Sequence, residues 1–527
     1  MEVNMKRSLQ VLFALLLSLI LTLSLMTGCV PEDDSSDGDE TESKAVEATA
    51  EESSAEATAE STPAESKPSK TPATSESKPS EDGDDGEEEP EEPEEPEEQL
   101  WTVGFASKEI ALPEDPKTPL YIAGYMQGVE ITGVHDLQRA NAIWLDGAGE
   151  DDGIFIISID CVGLASKYVN EIRTRLASLD VAVAAINVVS THTHAGLDTF
   201  GLWGPLGVDG KNAEFMENLV EAAVEAAKAA YADRSEGTIY YSKVKTTNML
   251  RDSRDPQVMD PYLYQLRFEP KSEDANGIRI VSYGAHAESM RGANTLLSRD
   301  YPGEMSDLLM EEKGEDMLYL PGPIGGLVMT KEFSSPFDAV ENLEITGRKL
   351  TDYLLSIKPE NETAIEPTLT FIKEALEVPV ENTAFQYYKS LGILDNEITA
   401  KSNGSVIVKS EINLISLGGK DGVLFGLVPG EIFPELVTGA NLKSTDPTAL
   451  SKLATEAGYK NLLVINLAND EIGYIVPPSD YIVNPNNPYF ERYEVNGEDH
   501  YEETNSVGKQ CAKKVSEAFA SALEKLK

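Results

Sequence analysis

Beyond Trp101 the chain alternates short, almost uncharged apolar runs with longer amphipathic stretches. IFIISID ending at Asp160, INVVS ending at Ser190, IRIVSYG ending at Gly284, VLFGLV ending at Val428 and LLVINL ending at Leu467 are rich in β-branched residues. Each is bounded by turn-forming or polar residues and is too short for a buried helix, so the pattern predicts strands. Strands without an alternating polar face are buried on both sides, so helices should cover the sheets. Residues 212–234 and 507–527 carry the clearest helical periodicity for that role. The predicted class is α/β: one large mixed-sheet domain with covering helices over residues 101–527. No internal repeat is visible.

The segments upstream follow different rules. Lys6 and Arg7 precede an apolar run from Val11 to Leu21 that continues to Met26 and stops at Thr27, Gly28 and Cys29. A short apolar core ending in small residues and a cysteine reads as a lipoprotein signal peptide over 1–28, with Cys29 as the lipidated residue. That placement puts the rest of the chain on the extracellular face of a bacterial membrane, held by its N-terminal lipid. Residues 29–100 are an acidic Ser/Glu/Pro-rich linker ending in EEEPEEPEEPEEQ. Such a segment has too little apolar surface to fold, and its like charges and prolines keep it extended and disordered. Much of the formal charge of −49 belongs to it. So acidic a chain, with no basic stripe, excludes nucleic acid as a partner. With Cys29 taken by the anchor, Cys161 and Cys511 are left for buried packing, and a disulfide framework is excluded.

Histidine is scarce, and its placement is informative: of five residues, His192 and His194 share the tetrapeptide Thr191–His194. THTH follows the strand INVVS, and His286 follows IRIVSYG. Glu431 follows VLFGLVPG, and Asp470, Glu471 and Tyr474 follow LLVIN. All emerge at strand carboxyl ends, where open α/β sheets place their sites. Imidazoles and carboxylates converging from separate strands suit a divalent zinc site with one open position. Taken singly, each histidine is more economically a packed core or loop residue, and only the combination favours a site. His135, before a strand, reads as structural, and His500, within GEDHYEETNSVG, as a surface residue. Gly322, Gly325 and Gly326 match neither a P-loop nor a dinucleotide fingerprint and read as a tight loop near the metal, with backbone NH groups available to an oxyanion.

At these residues STHTHAG from Ser190 resembles the THTHSGPGG signature of the neutral/alkaline ceramidases. GVHDLQRANAIWLD from Gly133, LRDSRDPQVMDPYLYQLRF from Leu250, GAHAESMRGANTLLSRDYPGEM from Gly284 and VPGEIF from Val428 are similar to further landmarks of that family, in the same order. The resemblance covers most of 101–508 and implies an amide-cleaving zinc hydrolase of a small-molecule or lipid substrate. It implies His192, His286 and Glu431 as ligands, with Glu471 or Tyr474 completing the set and Asp470 as a further substitute. His194 lines the site with a catalytic role. Arg254, with Arg251, is implied as an oxyanion or anion-holding residue, against a local ion-paired loop as the plainer reading of LRDSRDP.

One departure bears on mechanism. The family's serine loop matches GPIGGLVMT from Gly322, and Val328 stands where the serine would be. A valine offers no lone pair, so the simpler route is water activated by the metal, with His194 or Glu471 as acid or base. The competing readings are a surface binding protein that keeps the fold without turnover, and a hydrolase of a cell-wall or sugar derivative.

Overall fold

The computed structural model describes residues 99–526 apart from 115, 117, 118, 149–152, 180 and 336. The signal-peptide reading of 1–28, the lipidated Cys29 and the linker as far as residue 98 lie outside the described residues. Two mixed sheets dominate. The first comprises β1 (Trp101–Glu109), β2 (Arg139–Asp146), β3 (Ile154–Ile159), β4 (Ile186–Ser190), β5 (Ser235–Lys245), β6 (Tyr262–Pro270), β7 (Ile278–Tyr283), β8 (Asp316–Pro321) and β9 (Thr363–Ile365). They run in the order β8-β7-β6-β5-β1-β2-β3-β4, with β9 paired to β5. Only β7/β8 and β3/β4 are parallel pairs. The second sheet comprises β10 (Leu369–Pro379), β11 (Glu397–Ala400), β12 (Val406–Leu417), β13 (Val423–Leu427) and β14 (Asn461–Ile465). Its order is β10-β12-β13-β14, with β11 on β12 and β13/β14 parallel. All five strands expected from the apolar runs are present.

The double-sided burial has a different cause from the one expected. Val103, Ile143, Ile156, Leu266, Ile280 and Leu318 of the first sheet share a core with Ile415, Val423, Phe425, Leu427 and Ile465 of the second. The inner faces therefore cover each other, and helices cover only the outer faces. Across the first sheet lies α1 (Ala213–Ala232), capped by the Asn212 side chain accepting from Phe215 N. It burying face repeats at helical spacing through Phe215, Leu219, Ala223, Ala226 and Ala230. Gly104 on β1 makes this contact possible, because a Cβ there would stand 2.0 Å from the Ala230 carbonyl oxygen. Over the second sheet lies α2 (Cys511–Lys525), which seats Val515, Phe519 and Ala522 inward. Each large side chain buried this way contributes about 1.5–3 kcal/mol, so the four layers are held chiefly by apolar area.

At one end the two sheets are joined by hydrogen bonds as well. Ser190 N donates to Leu467 O at 3.1 Å and Asn466 N to Pro321 O at 3.0 Å. Inside, Asn413 Nδ2 and Asn469 Nδ2 both donate to Asn187 Oδ1, at 2.7 and 3.2 Å, and Asn469 Oδ1 accepts from Val188 N. These buried amides hydrogen-bond one another across the two sheets, although Asn413 Oδ1 is left without a partner. The result fixes the strand ends that carry the histidines. Cys161 and Cys511 are free and buried, as their sequence context implies.

Candidate metal centre

His192 stands two residues beyond β4, in a left-handed backbone conformation with φ 65°. His286 follows β7 and Glu431 follows β13, so the three approach from both sheets. Short bridges fix them laterally: Thr193 with Ala287, His286 with Met329, and Glu431 with Tyr474. His192, His286 and Glu431 are buried, with 5, 1 and 6 % of their surface exposed. His286 Nε2 lies 3.0 Å from Glu431 Oε2, His192 Nε2 3.4 Å from the same oxygen, and His194 Nε2 3.2 Å from His192 Nε2. The ligand atoms of His192, His194 and His286 all fall within 4.8 Å of one another.

Tautomers decide what this cluster can do. His286 Nδ1 lies 2.8 Å from Val328 O, and His192 Nδ1 contacts Val162 O. A carbonyl only accepts, so in each ring the neutral proton belongs on Nδ1 and Nε2 carries a lone pair. His194 Nδ1 lies 3.5 Å from Glu288 Oε2, near enough for charge pairing but without a hydrogen bond. Two imidazole lone pairs, the His194 Nε2 and a carboxylate oxygen therefore converge on one buried point. Such an arrangement needs a cation there, either protons or a metal ion. The charge pattern agrees. Burial disfavours the His286 cation, but the hydrogen bond and charge of Glu431 outweigh it and raise the pKa to about 9. Burial likewise opposes ionisation of Glu431, yet His192 and His286 hold it well below the usual carboxylate range. His194 is pushed well below the ordinary histidine value by burial and then by its two histidine neighbours. Buried nitrogen donors with one carboxylate fit a divalent metal.

The other anticipated residues are placed as follows. Glu471 is buried; Oε1 accepts from Gly473 N at 2.6 Å while Oε2 is buried without a hydrogen bond. Burial and then the charge of Glu431 raise its pKa well above the carboxylate range. Tyr474, 6 % exposed, is bridged to Glu431 through the backbone. Asp470 is committed elsewhere, with Oδ1 accepting from Ser166 N and Asn396 Nδ2.

Arg254 is not among the hydrogen-bond or ion-pair partners of His192, His194 or His286. Its guanidinium donates to Asp480 at 3.0 Å, Glu502 at 2.6 Å, Glu503 at 2.9 Å and the Asp480 carbonyl, and it contacts His500 Nδ1. The ion pairing is long-range rather than local to LRDSRDP. His500 belongs to this network and is 1 % exposed, which corrects its expected surface position. The glycine loop is tight as expected. Its NH groups, however, are partly spent, Gly322 N on Tyr283 O and Gly325 N on Ile432 O. Val328 is fully buried and contributes its carbonyl to His286.

One acidic residue of the site went unremarked in the sequence. Glu288, 5 % exposed, faces His194 Nδ1 and accepts from Tyr125 OH at 2.6 Å. Tyr125 in turn packs edge-on against the His194 ring, with centroids 5.2 Å apart. Gly124 leaves room for that ring, since a Cβ there would lie 2.5 Å from His194 Cγ. The only sequence signal was its position two residues beyond His286.

Comparison with known proteins adds the fold. No family model matches the chain, and no curated protein is similar to it in sequence. The structure of neutral ceramidase from Pseudomonas aeruginosa superposes with a TM-score of 0.63 at 16 % identity, over 81 % of this chain and 75 % of that one. A ceramidase complexed with C2 gives a TM-score of 0.62 at 14 % identity, over 81 % and 76 %. By structure, then, this chain has the fold of the neutral ceramidases.

Proposed function

We propose that this protein is a zinc-dependent hydrolase of an amide or related acyl bond, with His192, His286 and Glu431 as the metal-holding residues. The observation that carries this reading is the convergence of imidazole lone pairs on Glu431. Two or three imidazoles with a carboxylate suit zinc over harder ions, which prefer all-oxygen sets. When bound, such an ion supplies Lewis acidity and a water ionisable near neutral pH. The chain's own part is to orient and to move protons. Val162 and Val328 carbonyls fix the rings of His192 and His286. His194, with the Glu288 carboxylate behind its Nδ1, presents Nε2 at the edge of the cluster as acid or base. Glu471 either completes the ligand set or passes a proton to the leaving group, and Tyr474 is the alternative ligand.

Both similar structures described above are ceramidases, and an N-acyl lipid is therefore one candidate substrate. Val328 favours substrates and steps that do not use a serine nucleophile. The same residue supports the second reading, a surface binding protein that keeps the fold and ion without turnover. Lipid anchoring at Cys29 on the outer face of a bacterial membrane, with 29–100 as a tether and 101–527 as the working domain, completes the proposal. The test is hydrolysis of a panel of N-acyl amides and aryl esters by the zinc-loaded chain, with and without chelator. Chelator-sensitive turnover is expected. A chain that holds zinc and cleaves nothing in the panel would favour the binding protein.

A further inference from the structure

Two arginines converge beside this centre on one thioether. Met329 pairs with His286 in a parallel bridge and with Arg251 in an antiparallel one. Residues directly opposite across neighbouring strands point to the same face. His286, Met329 and Arg251 thus form a row, and Arg251 lies two strand spacings, roughly 10 Å, from His286. Arg251 Nη2 lies 2.9 Å from Met329 Sδ, and Arg291 Nη1 reaches the same sulfur at 3.2 Å.

Their surroundings are unequal. Arg291 has Glu332 at 3.5 Å and Glu288 at 3.8 Å, and its Nη2 donates to Thr330 O. Its backbone stands at φ 64°, a region that residues with a Cβ disfavour, so the fold aims it at some cost. Glu288 is already engaged by Tyr125 and His194. Arg251 is exposed and, among the described residues, has no carboxylate partner. Glu332 and Glu288 thus offset Arg291 in part, whereas the charge of Arg251 is left for an anion that a ligand would bring.

We propose that Arg251 and Arg291 form an anion subsite over Met329, and that the substrate bears a carboxylate-like or phosphate-like group roughly two strand spacings from the bond cleaved. This rests on the hydrolase reading and sharpens it, because ceramide itself carries no charge there.

The test uses two aryl esters that differ only at the far end of a six-methylene chain, mono-p-nitrophenyl suberate and p-nitrophenyl octanoate, with zinc-loaded full-length chain. An anion held by two guanidiniums should favour the suberate by roughly tenfold or more in kcat/KM. In Arg251→Gln/Arg291→Gln that ratio should collapse towards one. Because the readout is a ratio within one preparation, partial misfolding does not mimic it. Equal rates in the parent, or a preference unchanged in the variant, would overturn the subsite while leaving the hydrolase standing. If neither ester is cleaved, suberate binding is measured by calorimetry. Binding to the parent that is lost in the variant keeps the subsite and removes the hydrolase; no difference removes the subsite.

Discussion

His286 and Glu431 are 145 positions apart in the chain and meet with Nε2 and Oε2 3.0 Å apart, each almost wholly shielded from water. One arrives from the first sheet and the other from the second, so their meeting exists only when the two sheets are packed. Any ion held there would therefore be coupled to folding. Zinc at a hundred times its Kd should stabilise the folded chain by about 2.7 kcal/mol, seen as a rise in Tm that chelator reverses. His286→Ala should abolish the shift. An equal shift in parent and variant would place the ion elsewhere.

Glu288 is the next point of leverage. Glu288→Leu removes the carboxylate 3.5 Å behind His194 Nδ1 and the acceptor of Tyr125 OH, and so loosens the ring's position. A loss of 10- to 100-fold in zinc affinity or turnover is expected, the usual range for groups that orient a metal site. Zinc competition titration measures the first and aryl ester hydrolysis the second. Parent-like values in both would make Glu288 a packing residue.

Arg254 answers to stability rather than chemistry. Arg254→Met strands Glu502 and Glu503, which are 1 and 0 % exposed. Breaking a buried network by removing one partner costs about 3–5 kcal/mol, which denaturant unfolding resolves. Lower pH should narrow the gap, because protonated carboxyls no longer need the cation.

Asp160 gives a pH dependence of defined sign. Burial raises its pKa from 3.8 to about 7, against the favourable pull of Arg299 and the Arg139 NH. The folded chain holds that proton where the unfolded chain has released it. Asp160 therefore costs nothing below about pH 3.8, and the cost grows up to about pH 7 and stays constant above. Asp160→Asn should be more stable than the parent by on the order of 2–4 kcal/mol at pH 8, and equal to it near pH 3.8. A gap that does not change with pH would refute the assignment.

What the sequence disclosed follows from how local each signal is. Apolar β-branched runs marked the five buried strands, and scarce histidines at strand ends marked the cluster. Polar/apolar alternation in Ser235–Lys245, Tyr262–Pro270 and Leu369–Pro379 is weaker, and nothing local says which of two sheets a strand joins. The sheet-on-sheet core was hidden for that reason. Glu288 was lost among 92 acidic residues, its Tyr125 partner lying 163 positions away. Arg254 sat in a segment whose own acids looked sufficient, while its partners lie 226 to 249 positions away.

The proposed chemistry depends on zinc held by the three-histidine cluster with Glu431. Elemental analysis of the purified chain beside His192→Ala/His286→Ala tests it directly. About one equivalent of zinc is expected in the parent and little in the variant. Zinc absent from both after it has been supplied, or equal in both, would contradict it.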